Sequence, residues 1–305
     1  MPLDASTSTS NEAPSSGTPG TTWKLVLSYD GSDFNGWQVQ PGLLTVQGEL
    51  AAAIERVTGE QVLPQGSGRT DAGVHALAQV ASMRLDAPIP PGNLVRALNR
   101  TLPPSIRVLD AQRMTIGFHA RHSATSKTYE YRIFRGEICP PFLARYVYCY
   151  TAPLDGQSMQ SAAAMVLGEH DFASFAATEP DRTQRTAFAS RPEDPAVDAP
   201  DRKAGHPARG NVRLLLESGW RKESSPDGDL LIYRVRGDGF LHHMVRNLVG
   251  TFLDAGRGLI DAGAIQQVLA AKARHAAGPT APSRGLFLVS VGYDATDELA
   301  ASIHL

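Results

Sequence analysis

One carboxylate, Asp71, stands in the run Gly66-Ser67-Gly68-Arg69-Thr70-Asp71-Ala72-Gly73-Val74-His75-Ala76, two residues after an arginine. Gly66, Gly68 and Gly73 open backbone conformations closed to other residues and let a ligand approach the main chain. A carboxylate and a guanidinium placed together suggest a charged group held ready in a site, since either one buried alone is costly. The same string read in isolation also fits a polar turn between two strands. Other chemistries lack their residues: the chain has no Walker loop, no zinc-ligand spacing and no nucleophile-elbow serine. His242 and His243 are neighbours in a segment that reads as helix, and adjacent helical positions do not converge on one metal. Chemistry therefore falls to ordinary side chains, with Asp71 the best candidate. His75 and His119 are read as hydrogen-bonding structural residues or phosphate contacts rather than as acids or bases.

The flanking sequence predicts the elements that must hold this loop. Trp23 to Tyr29 alternates and reads as a strand, followed by the turn Asp30-Gly31-Ser32. Thr45 can cap a helix running to about Thr58, with Val46, Leu50, Ile54 and Val57 on one face. Gln61 to Gln65 is a weak strand entering the glycine loop, and Ala78 to Leu85 is a strand leaving it. A short helix over Asn93 to Arg100 ends at Pro103-Pro104, and strands follow over Arg107 to Met114 and Lys127 to Arg135. The second half repeats this order: a helix over Asp155 to Leu167, strands over Asn211 to Trp220 and Leu230 to Gly237, and a largely buried helix over Phe240 to Gly256. A helix over Asp261 to Ala271 and a strand over Leu286 to Tyr293 close it. The pattern predicts a mixed α+β fold of two similar halves sharing a largely antiparallel sheet flanked by helices. The halves are placed at 21–115, carrying the Asp71 loop, and at 116–305. Residues 1–20, nearly devoid of apolar side chains, read as a disordered tail, and 178–210 as a mobile insertion.

At 305 residues, 42% hydrophobic and 20% charged, the chain has the composition of a soluble globular protein with a sizeable core. No apolar run reaches the roughly 20 residues needed to span a bilayer. The start lacks the basic and apolar regions of a secretory signal and the arginines of a transit peptide. Cys139 and Cys149 are read as reduced, and the compartment as cytoplasmic. A net charge of −2 gives no global case for a polyanionic partner. Locally, nine basic residues between Arg96 and Arg145 face only Asp110, Glu130 and Glu137. Such an imbalance can build the positive face a phosphate backbone needs, or can be scattered solvated charge.

Five blocks, in order, resemble the motifs of the TruA-type tRNA pseudouridine synthases. They are YDGSDFNGWQVQP (29–41), GRTDAGVHALAQV (68–80), FHARHSATSKTYEYRI (118–133), FLHHMVRNLVGT (240–251) and GLFLVSVGYD (285–294). The resemblance spans Trp23 to Tyr293. It implies an isomerase that converts uridine to pseudouridine at positions 38–40 of the tRNA anticodon arm, without cofactor or metal, working as a homodimer on a base-flipped nucleotide.

The resemblance also implies roles. Asp71 is the expected nucleophile, at either base or sugar, and Arg246 its ion-pair partner, which favours the ionised form. Tyr129 is expected to stack on the target base and to help remove its C5 proton, although Tyr131 alternates with it equally well. Arg69 is expected to fill the stack left by the flipped nucleotide, and Leu286 or Leu288 to supply an apolar wall beneath the base. The chain departs from the family pattern in its tail, in the length of 178–210, and at Ala176, where an arginine is usual; Arg182 or Arg185 could replace that contact. Two other functions remain open: a non-catalytic RNA-binding protein on the same scaffold, and an Asp-nucleophile hydrolase acting on a small molecule.

Overall fold

The computed structural model describes residues 20–177 and 210–294. The expected tail and insertion, with Arg182 and Arg185, lie outside the described residues apart from Gly20 and Gly210. Strand β1 (Thr21–Tyr29) buries Trp23, Leu25 and Leu27 on one face, as its alternation requires. Helix α1 (Val46–Thr58) starts where the Thr45 side chain accepts a hydrogen bond from the Gly48 amide, and stops at Gly59, whose φ of 78° reverses the chain. Then come β2 (Gln65–Gly66), β3 (His75–Leu85), α2 (Pro91–Thr101) and β4 (Ile106–Met114). Only Gln65 and Gly66 are strand in the weak segment 61–65; they pair with Ser82 and Ala81, and residues 61–64 are loop.

The second half runs β5 (Ala124–Arg135), the single turn α3 (Pro141–Ala144), β6 (Tyr148–Cys149), α4 (Gly156–Ala164) and β7 (Gly168–Asp171). The hairpin of β8 (Val212–Ser225) and β9 (Gly228–Gly237) follows, then α5 (Met244–Gly256), α6 (Ala264–Ala271) and β10 (Leu286–Tyr293). Elements α3, β6 and β7 are too short to leave a periodic signal in the sequence.

Among the described residues the strands form one 10-stranded sheet in the order β4-β1-β3-β10-β5-β9-β8-β7, with β2 on β3 and β6 on β5. Neighbours are antiparallel except β10 with β3 and β5 with β6. The last strand therefore lies at the middle of the sheet, joining β3 of the first half to β5 of the second. One face carries the main core. There Tyr131, Ile133, Leu288, Tyr233 and Val235 are buried with Leu248 and Phe252 of α5. The opposite face buries Glu130 among Arg132, Arg221 and Arg234, at 3.3, 2.9 and 3.0 Å. Burial pushes the Glu130 carboxyl up, but these guanidiniums outweigh it and hold it below the usual range.

Much of the basic excess between 96 and 145 serves the fold. Arg107 donates to the Pro103 and Ile106 carbonyls, Arg135 to those of Tyr150 and Ala152, and Arg113 lies over the Trp23 ring. Cys139 and Cys149 are unbridged.

Candidate active site

Residues 67–74 cross from β2 to β3, and both neighbouring blocks grip them. At the entry, Gln79 accepts from the Ser67 hydroxyl at 2.6 Å and donates to the Gly68 carbonyl at 2.9 Å. In the middle, the Tyr29 and Thr70 hydroxyls share a 2.9 Å hydrogen bond, and the Trp37 amide donates to the Thr70 carbonyl at 3.0 Å. Gly36 has φ 85°, and a Cβ there would meet the Thr70 carbonyl oxygen at 2.5 Å. At Gly31 a Cβ would stand 1.9 Å from the Val74 oxygen. Both glycines are thus needed because two stretches of main chain touch.

At the exit, His75 is 1% exposed and joins three blocks. Its Nδ1 accepts from the Gly31 amide at 3.1 Å, with Asp30 Oδ1 at 3.2 Å, and its Nε2 lies 3.2 Å from the Arg284 carbonyl. Burial pushes its imidazole below the ordinary value despite the pull of Asp30. The ring stacks on Phe287 at 4.7 Å. This is a structural staple, as read from the sequence. His119 closes its own turn, its Nδ1 accepting from the Arg121 amide at 3.0 Å.

Asp71 projects from the loop with 17% of its side chain accessible and meets three donors. Arg246 Nη1 is 3.2 Å from Oδ2, His243 Nε2 is 3.4 Å from Oδ2, and His242 Nε2 is 3.1 Å from Oδ1. Arg246, in the first turn of α5, is fixed by a second bond of 2.7 Å from its Nε to the Ala281 carbonyl. Burial pushes the Asp71 carboxyl up. The His242 hydrogen bond and the charges of His243, His242 and Arg246 more than reverse this, holding it at about 2.

The two histidines correct an expectation. The helix expected from Phe240 begins only at Met244, and His243, with φ 60°, is left-handed. Off the helix, adjacent side chains are free to converge, and both rings do so on one carboxylate. Asp71, His242 and His243 present ligand atoms within 4.8 Å of one another, close enough to hold a metal ion. Arg246 already occupies one side of Oδ2, however, and a guanidinium beside a carboxylate opposes a second cation. No sequence signal marks this convergence, because nothing in Phe240-Leu241-His242-His243 forbids the helix that follows from extending back.

Tyr129, in β5, pairs with Leu288 of β10 on one side and Val235 of β9 on the other. Its ring meets Phe240 edge-on at 4.9 Å. Burial raises its hydroxyl far above the ordinary value, and the negative charge of Asp71 adds to the rise. Tyr131 is otherwise engaged: it is fully buried and its hydroxyl donates to the Pro282 carbonyl at 2.8 Å. The structure thus separates two tyrosines that alternation alone leaves equivalent. Leu286 and Leu288 are both buried; Leu288 is in register with Tyr129 and Leu286 with Tyr131. Arg69 is half-buried two residues before the acid. A cleft of about 360 Å³ borders the same loop at Gly73, lined also by Ser32, Ala144, Arg145, Ser283 and Arg284.

A family model described as tRNA pseudouridine synthase matches residues 25–123 and 200–294. The chain is similar to "tRNA pseudouridine synthase A" of Solibacter usitatus, 47% identical over 270 residues, covering 88% of this chain and 98% of that protein. It is similar to the protein of the same name from Moorella thermoacetica, 42% identical with the same two coverages. "tRNA pseudouridine synthase A 1" of Desulfotalea psychrophila is 38% identical over 269 residues, again with 88% of this chain and 98% of that protein covered.

Proposed function

The chain belongs to the tRNA pseudouridine synthase family, and from that premise we propose that Asp71 is the nucleophile with which it isomerises uridines at positions 38–40 of the anticodon arm. The reaction is an isomerisation. The bond from uracil N1 to the ribose is broken, the base turns, and a bond from C5 to the same ribose carbon replaces it. C5 gives up a proton and N1 regains one, so no oxidant, reductant or cofactor enters the balance.

A single observation carries the reading: an ionised carboxylate, accessible in a cleft-side loop, is bonded at 3.2 Å by Arg246. With its carboxyl at about 2, Asp71 is ionised throughout the neutral range and ready to attack either base or sugar. Burial keeps Tyr129 neutral, so its ring offers a flat apolar surface to a base, with the hydroxyl near the atoms that exchange protons. Reaching such a floor requires the nucleotide to leave its stack, a cost Arg69 would offset by taking the vacated place. The enzyme is proposed to act in the cytoplasm as a homodimer, whose paired basic faces would together follow the tRNA backbone.

The test is Asp71→Asn, assayed for tRNA binding and for pseudouridine formation. The expected result is affinity within about twofold of wild type with turnover lower by at least about a thousandfold. Pseudouridine formation by the variant at the wild-type rate would overturn the assignment. Mapping pseudouridine in tRNA from cells lacking the protein, then restoring it, tests the positions.

A further inference from the structure

His242 and His243 approach the proposed nucleophile at a cost in backbone conformation. A histidine at φ 60° is uncommon, and such residues persist where the surroundings over-determine them, often at functional sites. Here the surroundings do so. The Ala177 amide donates to the His242 carbonyl at 3.0 Å, the Met244 amide to Leu241 at 3.1 Å, and the Asn247 amide to His243 at 2.9 Å. Asn247 itself is buried, its side-chain amide donating to the Phe175 carbonyl at 2.8 Å. The two imidazoles pack against one another in a tilted arrangement, 3.8 Å between centroids and 39° between planes.

The protonation pattern of His242 follows from its surroundings. Its Nδ1 is buried with no hydrogen-bond partner among the described residues. A proton on that nitrogen would be a buried donor without an acceptor, so the tautomer favoured by this geometry carries its proton on Nε2. That nitrogen is the one 3.1 Å from Asp71 Oδ1. Arg246 and His243 approach Oδ2, and His242 approaches Oδ1. A donor at Oδ1, opposite those at Oδ2, resists rocking of the carboxylate about its Cβ–Cγ bond and so helps to hold its plane.

We infer that His242 is a positioning residue for the reaction. Its Nε2–H locks the plane of the Asp71 carboxylate, and the neighbouring His243 ring holds His242 in place. This rests on the reading of Asp71 as nucleophile. A nucleophile held in one orientation spends more of its time aimed at the reacting atom, and lost alignment lowers the rate of the chemical step without weakening tRNA binding.

Single-turnover formation of pseudouridine and tRNA affinity, measured on three variants, test the inference. His242→Phe keeps the ring and its packing but cannot donate, and His242→Ala removes both. His242→Gln restores an N–H at nearly the same reach. The Phe and Ala variants are expected to slow the single-turnover rate by about 10- to 100-fold, the loss typical of a hydrogen bond to a charged group, with tRNA affinity within about twofold. The Gln variant is expected to recover most of the rate. A wild-type rate for His242→Phe would overturn the inference, and so would equal slowing of all three, which would mean that ring packing matters and donation does not. Thermal melting of His242→Phe separates a folding defect from either result. The underlying reading fails separately, through an active Asp71→Asn variant.

Discussion

Arg246 Nη1 meets Asp71 Oδ2 at 3.2 Å although the two residues are 175 positions apart. The pair ties the Asp71 loop to α5, and the second bond of Arg246, to the Ala281 carbonyl, makes it a rigid fork rather than a point charge.

Arg246→Lys should therefore fall short of wild type despite keeping the charge. An ammonium on a flexible stem cannot satisfy Ala281 and Asp71 with the same geometry. The expected loss is about tenfold in single-turnover rate, with tRNA affinity little changed. An unimpaired lysine variant would show that charge alone suffices.

Asp71 also contributes to stability, with a sign that can be worked out. Its folded carboxyl lies at about 2, below the ordinary 3.8, so its stabilising effect is complete above the ordinary value. That effect disappears as the pH falls through the folded value. The shift corresponds to about 2 kcal/mol. Urea unfolding of wild type and Asp71→Asn should show a stability difference that shrinks by about that amount from about pH 5 to pH 2. A difference independent of pH would contradict the ion pairing described.

Tyr129→Phe retains the edge contact with Phe240 and removes only the hydroxyl, whose ionisation the charge of Asp71 opposes. If that hydroxyl moves a proton, the variant should bind tRNA normally and lose about 100-fold or more in rate. Full activity would reduce Tyr129 to a stacking surface.

Glu130→Ala should destabilise the fold without touching the site. Its carboxylate is 7% exposed and holds three guanidiniums that are between about a quarter and a half exposed. The expected cost is about 2 kcal/mol, below that of a fully buried pair because solvent screens the arginines. Denaturant midpoints would measure it, and an unchanged midpoint would refute it.

Gly250→Ala should be harmful although alanine is the better helix former by about 1 kcal/mol. A Cβ on α5 at that position would lie 1.6 Å from the Pro279 carbonyl oxygen. Backbone cannot yield as a side chain can, so a net loss of about 2–3 kcal/mol is expected in thermal or denaturant unfolding.

What the sequence reveals about this site follows the range of the forces involved. The Asp71 loop is legible because its glycines and charges are local, and Thr45 caps α1 because capping is decided within four residues. Strand alternation predicts β1 and β5 for the same reason. The distinction between Tyr129 and Tyr131 is not local: it depends on Pro282, 151 positions from Tyr131, accepting the Tyr131 hydroxyl. His242 and His243 are obscured differently. The apolar period of α5 continues back through Phe240 and Leu241, while the break at His243 is imposed by contacts with Ala177 and Asp71. The central place of β10 is likewise a property of topology, visible only once β3 and β5 are set on either side of it.

That placement bears on how the protein is made. The strand at the seam, Leu286–Tyr293, leaves the ribosome after both of the strands it joins. Until it does, a nascent chain holds two unfinished sheets with raw edges at β3 and β5, the kind of surface that invites pairing with the wrong neighbour. Joining of the two sheets must wait for that insertion, and chaperone shelter matters most just before it.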